Sequence, residues 1–150
     1  MSLLFDLAFY AAAPFWALMI LAPTWSWTAR IIHTPWIVLP VLVVWAVAAV
    51  PVFGPLWAVV TSPGLAGFTD LLTEPAAVTA VWAQIIAWDL FIGRWMYLDS
   101  RERRAHPLVM GPLLVLTVLL SPIGLPLYLA ARKRLDRRGY LYPRPTAEGR

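Results

Sequence analysis

The sequence predicts an all-α protein, an integral membrane bundle of four transmembrane helices. Of its 150 residues, 61% are hydrophobic and 13% are charged, whereas soluble proteins average roughly 45–50% and ~25%. Long uncharged stretches recur four times, and a membrane-crossing helix needs about 20 mostly apolar residues. Tryptophan and tyrosine residues lie near the ends of these stretches, where amphipathic rings prefer the headgroup region of a bilayer. These observations exclude an ordinary soluble enzyme and a disordered chain.

Each apolar stretch is long enough for one helix, and turn-forming residues separate the stretches. The predicted helices are 3–22, 37–60, 76–98 and 107–131. Most of the first helix lies in the run of 23 uncharged residues between Asp6 and Arg30, the second helix lies in a run of 34 and the fourth in a run of 27. The third is apolar apart from Asp89 and Arg94. Together they predict one transmembrane domain over 1–138.

Interior prolines predict kinks in two of these helices. Pro51 and Pro55 lie in the second helix, and Pro112, Pro122 and Pro126 lie in the fourth. Each removes a backbone donor and tends to bend its helix. Two interpretations stay open: plain kinks in a packed bundle, or a widened cavity between the second, third and fourth helices.

The distribution of Lys and Arg predicts the orientation. Four helices place both termini on one face of the membrane, and seven of the twelve basic residues lie in the last nineteen positions. The opposite face receives four, so the C-terminus is predicted to be cytoplasmic. A basic cluster directly after an apolar segment fits membrane lipid as its partner and no nucleic acid. The polar, proline-containing segment 139–150 predicts a flexible tail.

The third helix carries the candidate chemistry, because ionisable groups inside a span are costly and mark functional sites. Asp89 lies roughly 13 Å from the nearer helix end, whereas Arg94 lies roughly 6 Å from it and its long side chain can reach the interface. On a helical wheel Asp89 shares a face with Trp82 and Gly93, and Arg94 points about 140° away. Asp89 is therefore either a proton donor and acceptor or a structural carboxyl group. Arg94 is either a second catalytic group or an interfacial anchor.

Neither a metal nor a redox cofactor is predicted. The chain has no cysteine, which excludes thiol catalysis and cysteine-held iron–sulfur clusters. His33 and His106 lie in different connections and lack the local spacing of a metal site.

Three motifs carry a family resemblance: WAQ at 82–84, DLFIGRW at 89–95 and SPIG at 121–124. They resemble the neoxanthin-synthase-like family, whose founding plant member is the abscisic-acid-deficient-four protein, over about residues 3–131. The resemblance implies four membrane helices. For plant members it also implies a part in converting the epoxide violaxanthin into the allene neoxanthin. This sequence has Gln84 where the family often has His, which places the same acid–base chemistry in question.

The resemblance implies an enzyme or accessory factor that isomerises a carotenoid or other polyisoprenoid by acid–base chemistry. In that hypothesis Asp89 and Arg94 are catalytic. The substrate-binding residues are Gln84, Trp82, Trp88, Trp95 and Gly93. The main alternative is a non-enzymatic subunit or assembly factor with a membrane-protein partner; a channel or transporter is a third. The short chain, without a visible transit peptide, predicts the bacterial inner membrane.

Overall fold

The structure is a computed structural model that describes residues 1–103 and 105–141, with side chains up to Lys133. The described ranges contain helices and connecting turns and no strand, which confirms the all-α fold class. Four apolar segments are long enough to cross a membrane, namely Ser2–Leu21, Pro35–Thr61, Pro75–Glu102 and Pro107–Lys133. The predicted tail 139–150 falls mainly on positions after Leu141, which lie outside the described residues.

The longest straight helix, α6 (Pro75–Glu102), is the centre of the bundle. It packs against α1 (Ser2–Leu21), α3 (Leu39–Ala49) and α7 (Pro107–Leu141). Small side chains are part of the packing between α6 and α1. Ala8 of α1 and Ala83 of α6 are both fully buried in the same apolar cluster. Small residues let two helix backbones approach closely, which is how helices associate inside a bilayer.

The second apolar segment is interrupted, as its prolines predict. A 3-10 turn at Pro35–Val38 leads into α3, and a second 3-10 turn at Val50–Val52 separates α3 from α4 (Phe53–Thr61). Pro51 lies in that second turn and has no N–H to continue the α-helical pattern. The segment therefore continues past α3 with a local break instead of as one regular helix.

The fourth apolar segment, α7, folds back on itself at Leu120. The backbone of Leu120 is not helical (φ −150°, ψ 69°) and divides α7 into a first arm, 107–119, and a second arm, 121–141. A Cβ atom on Gly124 would lie 2.7 Å from the Cα of Thr117. Residues seven apart in one straight helix are separated by about 10 Å along its axis, so the two arms lie side by side.

Contacts with α6 show the same reversal. The Thr117 hydroxyl lies 3.5 Å from the Met96 sulfur, and eleven residues later the Tyr128 hydroxyl donates to an oxygen of Asp99 at 2.5 Å. Pro107, the first residue of α7, also lies near this end of α6, in a cavity lined by Ser100. A straight helix would carry position 128 about 30 Å away from position 107. Both arms of α7 therefore lie against the C-terminal half of α6.

Two short helices occupy connections where the sequence predicts turns. They are α2 (Ser26–His33), between α1 and α3, and α5 (Leu65–Leu71), between α4 and α6. In α2, Thr28 and Ile32 are buried while Trp27 is exposed. Because its eight residues rise only about 12 Å, α2 is too short to cross a membrane and lies at the end of the bundle.

Candidate functional site around Asp89

Asp89 lies midway along α6, thirteen positions before the end of the helix. It is only 8% exposed, and its carboxyl group interacts with the hydroxyl group of Ser121. Ser121 follows Leu120 at the point where α7 turns back. Backbone groups at such a break lose their helical partners and must find others inside the protein. The structure thus holds one carboxyl group within an apolar bundle, beside the fold-back of α7.

Gly93 lies one helical turn after Asp89 and faces α1. A Cβ atom built on Gly93 would overlap the six-membered ring of Trp16, which is buried against α6. Glycine at this position lets the indole ring lie directly on the α6 backbone. Gly93, which the sequence hypothesis assigns to substrate binding, is therefore covered by a protein side chain.

Trp82 lies two helical turns before Asp89 and stacks on Phe5 of α1. The two ring centroids are 5.0 Å apart with an angle of 11° between the planes. Its indole N–H is buried and finds no acceptor among the described residues. A cavity of about 190 Å³, lined by Trp82 and residues of α1, lies beside it. Trp82 therefore has a buried hydrogen-bond donor without a described acceptor, and its side chain also lines a cavity.

Arg94 is directed away from Asp89. Its Nε donates to the carbonyl oxygens of Ile32 at 2.9 Å and Thr34 at 3.3 Å, and its Nη2 donates to that of His33 at 2.5 Å. These carbonyls end α2 and lack partners within that helix. The guanidinium group therefore caps α2 and fixes it to α6, and within the described residues it forms no ion pair with Asp89.

The remaining predicted binding residues lie on other faces of α6. Trp88 is 61% exposed, and Gln84 is half-buried. Trp95 packs edge-on against Tyr128, with 5.7 Å between the ring centroids. The structure does not bring these three side chains together around Asp89.

A second polar group, the Asp99 cluster, joins the end of α6 to the second arm of α7. Asp99 Oδ2 accepts a hydrogen bond from Arg103 at 2.9 Å and one from Tyr128 at 2.5 Å, and it lies 3.3 Å from Arg132 Nε. The Arg132 guanidinium also lies 5.6 Å from the centre of the Trp95 ring. The hydrogen bond to Asp99 raises the pKa of Arg103 above its ordinary value, so the positive charge at the end of α6 is retained.

The sequence contains part of the signal for this cluster. Asp99 and Arg103 are four residues apart, the spacing of neighbours on one helix face. Tyr128 and Arg132 cannot be assigned to it from sequence, because a straight fourth helix would carry both to the opposite face of the membrane.

A cavity of about 240 Å³ lies between α1, α6 and the first arm of α7. At its wall the Tyr97 hydroxyl and Arg101 Nη1 both donate to the carbonyl oxygen of Pro23, at 2.8 and 2.5 Å. These bonds fasten the chain after α1 to the end of α6. One of the two interpretations of the interior prolines is a widened cavity between the second, third and fourth helices, whereas this cavity lies between the first, third and fourth.

Comparison with known proteins places the chain in a family. A family model described as ABA DEFICIENT 4-like matches residues 3–128. A search of curated proteins and a search of solved structures each give no match. The matched region contains α1 to α6 and the fold-back of α7, and so includes Asp89, Ser121 and Tyr128. Because the match covers most of the chain, this membrane protein belongs to the ABA DEFICIENT 4-like family.

Proposed function

We propose that the protein isomerises a carotenoid or another oxygen-bearing polyisoprenoid, with Asp89 as the group that donates and accepts the proton. The observation that carries this proposal is a carboxyl group at the middle of an apolar helix, 8% exposed, opposite the Ser121 hydroxyl. Ionisable groups at such depth are costly and are usually retained for function. The resemblance to neoxanthin-synthase-like proteins supplies the substrate class.

The exposed face of α6 at the level of Asp89 suits a long apolar molecule dissolved in the membrane. On that face Ile85 is 43% exposed and Trp88 is 61% exposed. A polyene chain could lie along these side chains without leaving the hydrocarbon region. The N–H of Trp82 is buried and has no acceptor among the described residues, so a substrate oxygen would gain a hydrogen bond there only after the ring moves from Phe5.

The proposed step is an epoxide isomerisation that balances without an oxidant or reductant. A proton from Asp89 is delivered to the epoxide oxygen, and the carbon–oxygen bond opens. The resulting carboxylate takes a proton from a neighbouring carbon, and the electrons of that carbon–hydrogen bond form the new double bond. One carboxyl group within reach of both atoms can act as acid and then as base.

Arg94 has a positioning role in this proposal. Its guanidinium group is already bonded to three carbonyl oxygens at the end of α2. It therefore holds α2 against α6 and does not orient the substrate oxygen, in contrast to the catalytic role that the sequence hypothesis gives it.

The test is pigment chromatography from a carotenoid-producing host that expresses the protein or its variants. Asp89→Asn keeps the shape and most hydrogen bonds but cannot transfer a proton, so it should accumulate normally and lose the pigment change. Asp89→Leu should lose the pigment change too, and it should in addition accumulate less, because it leaves the Ser121 hydroxyl without its partner. Asp70→Asn, on the exposed helix α5, is the matched control and should behave as wild type. Full activity in Asp89→Asn would exclude Asp89 from proton transfer.

One observation favours the alternative, a non-enzymatic subunit. Trp88 and Phe91 are both more than half exposed although α6 is the most buried helix, and large aromatic residues are enriched at protein interfaces. In that case the pigments should be identical with and without the gene. Cross-linking in the membrane should join α6 to one partner protein, and Trp88→Ala should abolish that product.

A further inference from the structure

We infer that α7 is a re-entrant hairpin, which enters and leaves the membrane at the face where α6 ends. The protein then crosses the membrane three times, through α1, the α3–α4 segment and α6. Its N- and C-termini lie on opposite faces. This inference concerns topology alone and does not depend on the proposed activity.

The depth of the turn is the first support. The first arm, 107–119, rises about 20 Å at 1.5 Å per residue, which is shorter than the ~30 Å hydrocarbon core. The chain then turns at Leu120, and Ser121 meets Asp89 midway along α6. Because α6 is long enough to cross the membrane, its midpoint places the tip of the hairpin near the middle of the bilayer.

The return of the second arm is the second support. Tyr128 and Arg132 contact Asp99, three residues before the end of α6. Arg132 must therefore leave the membrane where α6 leaves it. The 17 residues from 134 to 150 include seven charged residues, so they contain no apolar stretch that could cross again.

The packing of the turn is the third support. Irregular backbone at membrane depth is tolerated only where protein covers it or water reaches it. Thr117 is fully buried between the arms, and its hydroxyl donates to the carbonyl oxygen of Leu113 at 2.8 Å. Gly124 lies directly on the Thr117 backbone, the close approach that small residues permit.

Charge provides an independent argument. With three crossings, chain connection places the eleven Lys and Arg residues other than Arg94 at the face where α6 ends, and Arg94 lies in α6 on the side of that same end. The other face then carries Asp6, Asp70 and Glu74 and no basic residue. Four crossings would instead divide the basic residues between the two faces. Cytoplasmic loops of membrane proteins are enriched in Lys and Arg. The hairpin topology therefore predicts that the face where α6 ends, the basic face, is cytoplasmic.

The absence of cysteine allows a direct test on the full chain with single-cysteine variants. Thr69→Cys, Glu102→Cys and Thr146→Cys would be treated with a membrane-impermeant maleimide, in intact cells and after permeabilisation. Position 69 should react in intact cells, and positions 102 and 146 should react only after permeabilisation. Reaction of position 146 together with position 69 in intact cells would restore four crossings and overturn the inference.

A second experiment tests the fold-back without reference to orientation. The pair Trp95→Cys and Tyr128→Cys, whose native rings lie 5.7 Å apart, should be joined by a short bifunctional thiol reagent. The pair Val78→Cys and Tyr128→Cys should not be joined. A straight helix would reverse these results, because it carries position 128 about 30 Å from the start of α7.

Discussion

At position 124 a side chain of any size would collide with the other arm of α7. The obstacle is the backbone of Thr117, whose Cα and N would lie 2.7 Å and 2.8 Å from a Cβ atom at this position. At Gly93 the obstacle is instead a side chain, the far end of the buried Trp16 ring. Gly124 thus lets two backbones lie in contact, whereas Gly93 lets a side chain lie on a backbone.

Gly124→Ala should destabilise the protein by about 1–3 kcal/mol, the usual cost of an added group in a well-packed site. The melting temperature of the detergent-solubilised protein is the measurement. Gly111→Ala in the first arm meets nothing within 4 Å and is the control, which should melt at or above the wild-type temperature because Ala favours a helix over Gly. Equal melting of the two variants would show that the arms are not in contact.

Arg94→Ala should release the C-terminal end of α2. Hydrogen bonds to charged groups contribute about 1.5–3 kcal/mol, so backbone amides of Ser26–His33 should exchange with deuterium faster. Arg30→Ala is the control: Arg30 lies 5.1 Å over the Trp27 ring and is exposed, so its loss should leave exchange in α2 nearly unchanged. Loss of the pigment change with normal exchange would instead favour a catalytic Arg94.

At the scale of elements, α6 holds the others through polar contacts near its C-terminal end. Arg94 binds α2, Tyr97 and Arg101 bind the chain after α1, and Asp99 binds the second arm of α7. The N-terminal half of α6 is held mainly by apolar packing, in which alanines recur. The end of the bundle that carries the basic residues is therefore the more highly connected one.

A double-mutant cycle on Asp99→Ala and Tyr128→Phe should detect the link between α6 and α7. Their hydrogen bond predicts that the two losses in unfolding free energy are non-additive, by about 1–3 kcal/mol. Additive losses would show that the second arm does not return to α6. Tyr10→Phe, on an exposed face near the middle of α1, combined with Asp99→Ala should be additive.

The sequence predicts the helical segments well and their mutual arrangement poorly. Uncharged runs alone locate the apolar helices, and Pro51 correctly marks a break. Leu120 could not be identified, because an apolar segment of 27 residues has the same composition whether it crosses the membrane or turns back. The decisive contact joins Thr117 to Gly124, and neither the period of a helix nor its hydrophobicity reports such a pairing.

The candidate site is likewise predicted only in part from the sequence. Asp89 can be selected from sequence because its cost depends only on its depth in an apolar run. The hydrogen-bond partners of Arg94 depend on where α2 lies, and the sequence predicts a turn, not a helix, at the position of α2. Thr28 and Ile32, four residues apart, share the buried face of that helix.

At the scale of the whole molecule, the last twelve residues should be dispensable. Removing 139–150 should leave the amount of protein in the membrane fraction unchanged, since this segment is mostly polar and contains Pro143 and Pro145. Truncation after Ala131 is the contrasting variant. It removes Arg132 and the basic cluster, so it should lower the yield or mix the orientations. Loss of membrane protein from the shorter truncation would show that the tail supports folding.

The half-depth hairpin also gives the molecule unequal cross-sections in the two leaflets. In the inferred three-crossing topology, the leaflet at the basic face contains α1, α3, α6 and both arms of α7, whereas the other leaflet contains α1, α4 and α6. Each helix is about 10 Å wide, so five helices displace more lipid than three. Such a wedge favours a curved membrane whose convex side is the leaflet at the basic face. Protein reconstituted with one orientation should therefore concentrate in thin tubes drawn from a vesicle when its basic face lies outside, and equal density in tube and vesicle would contradict the wedge.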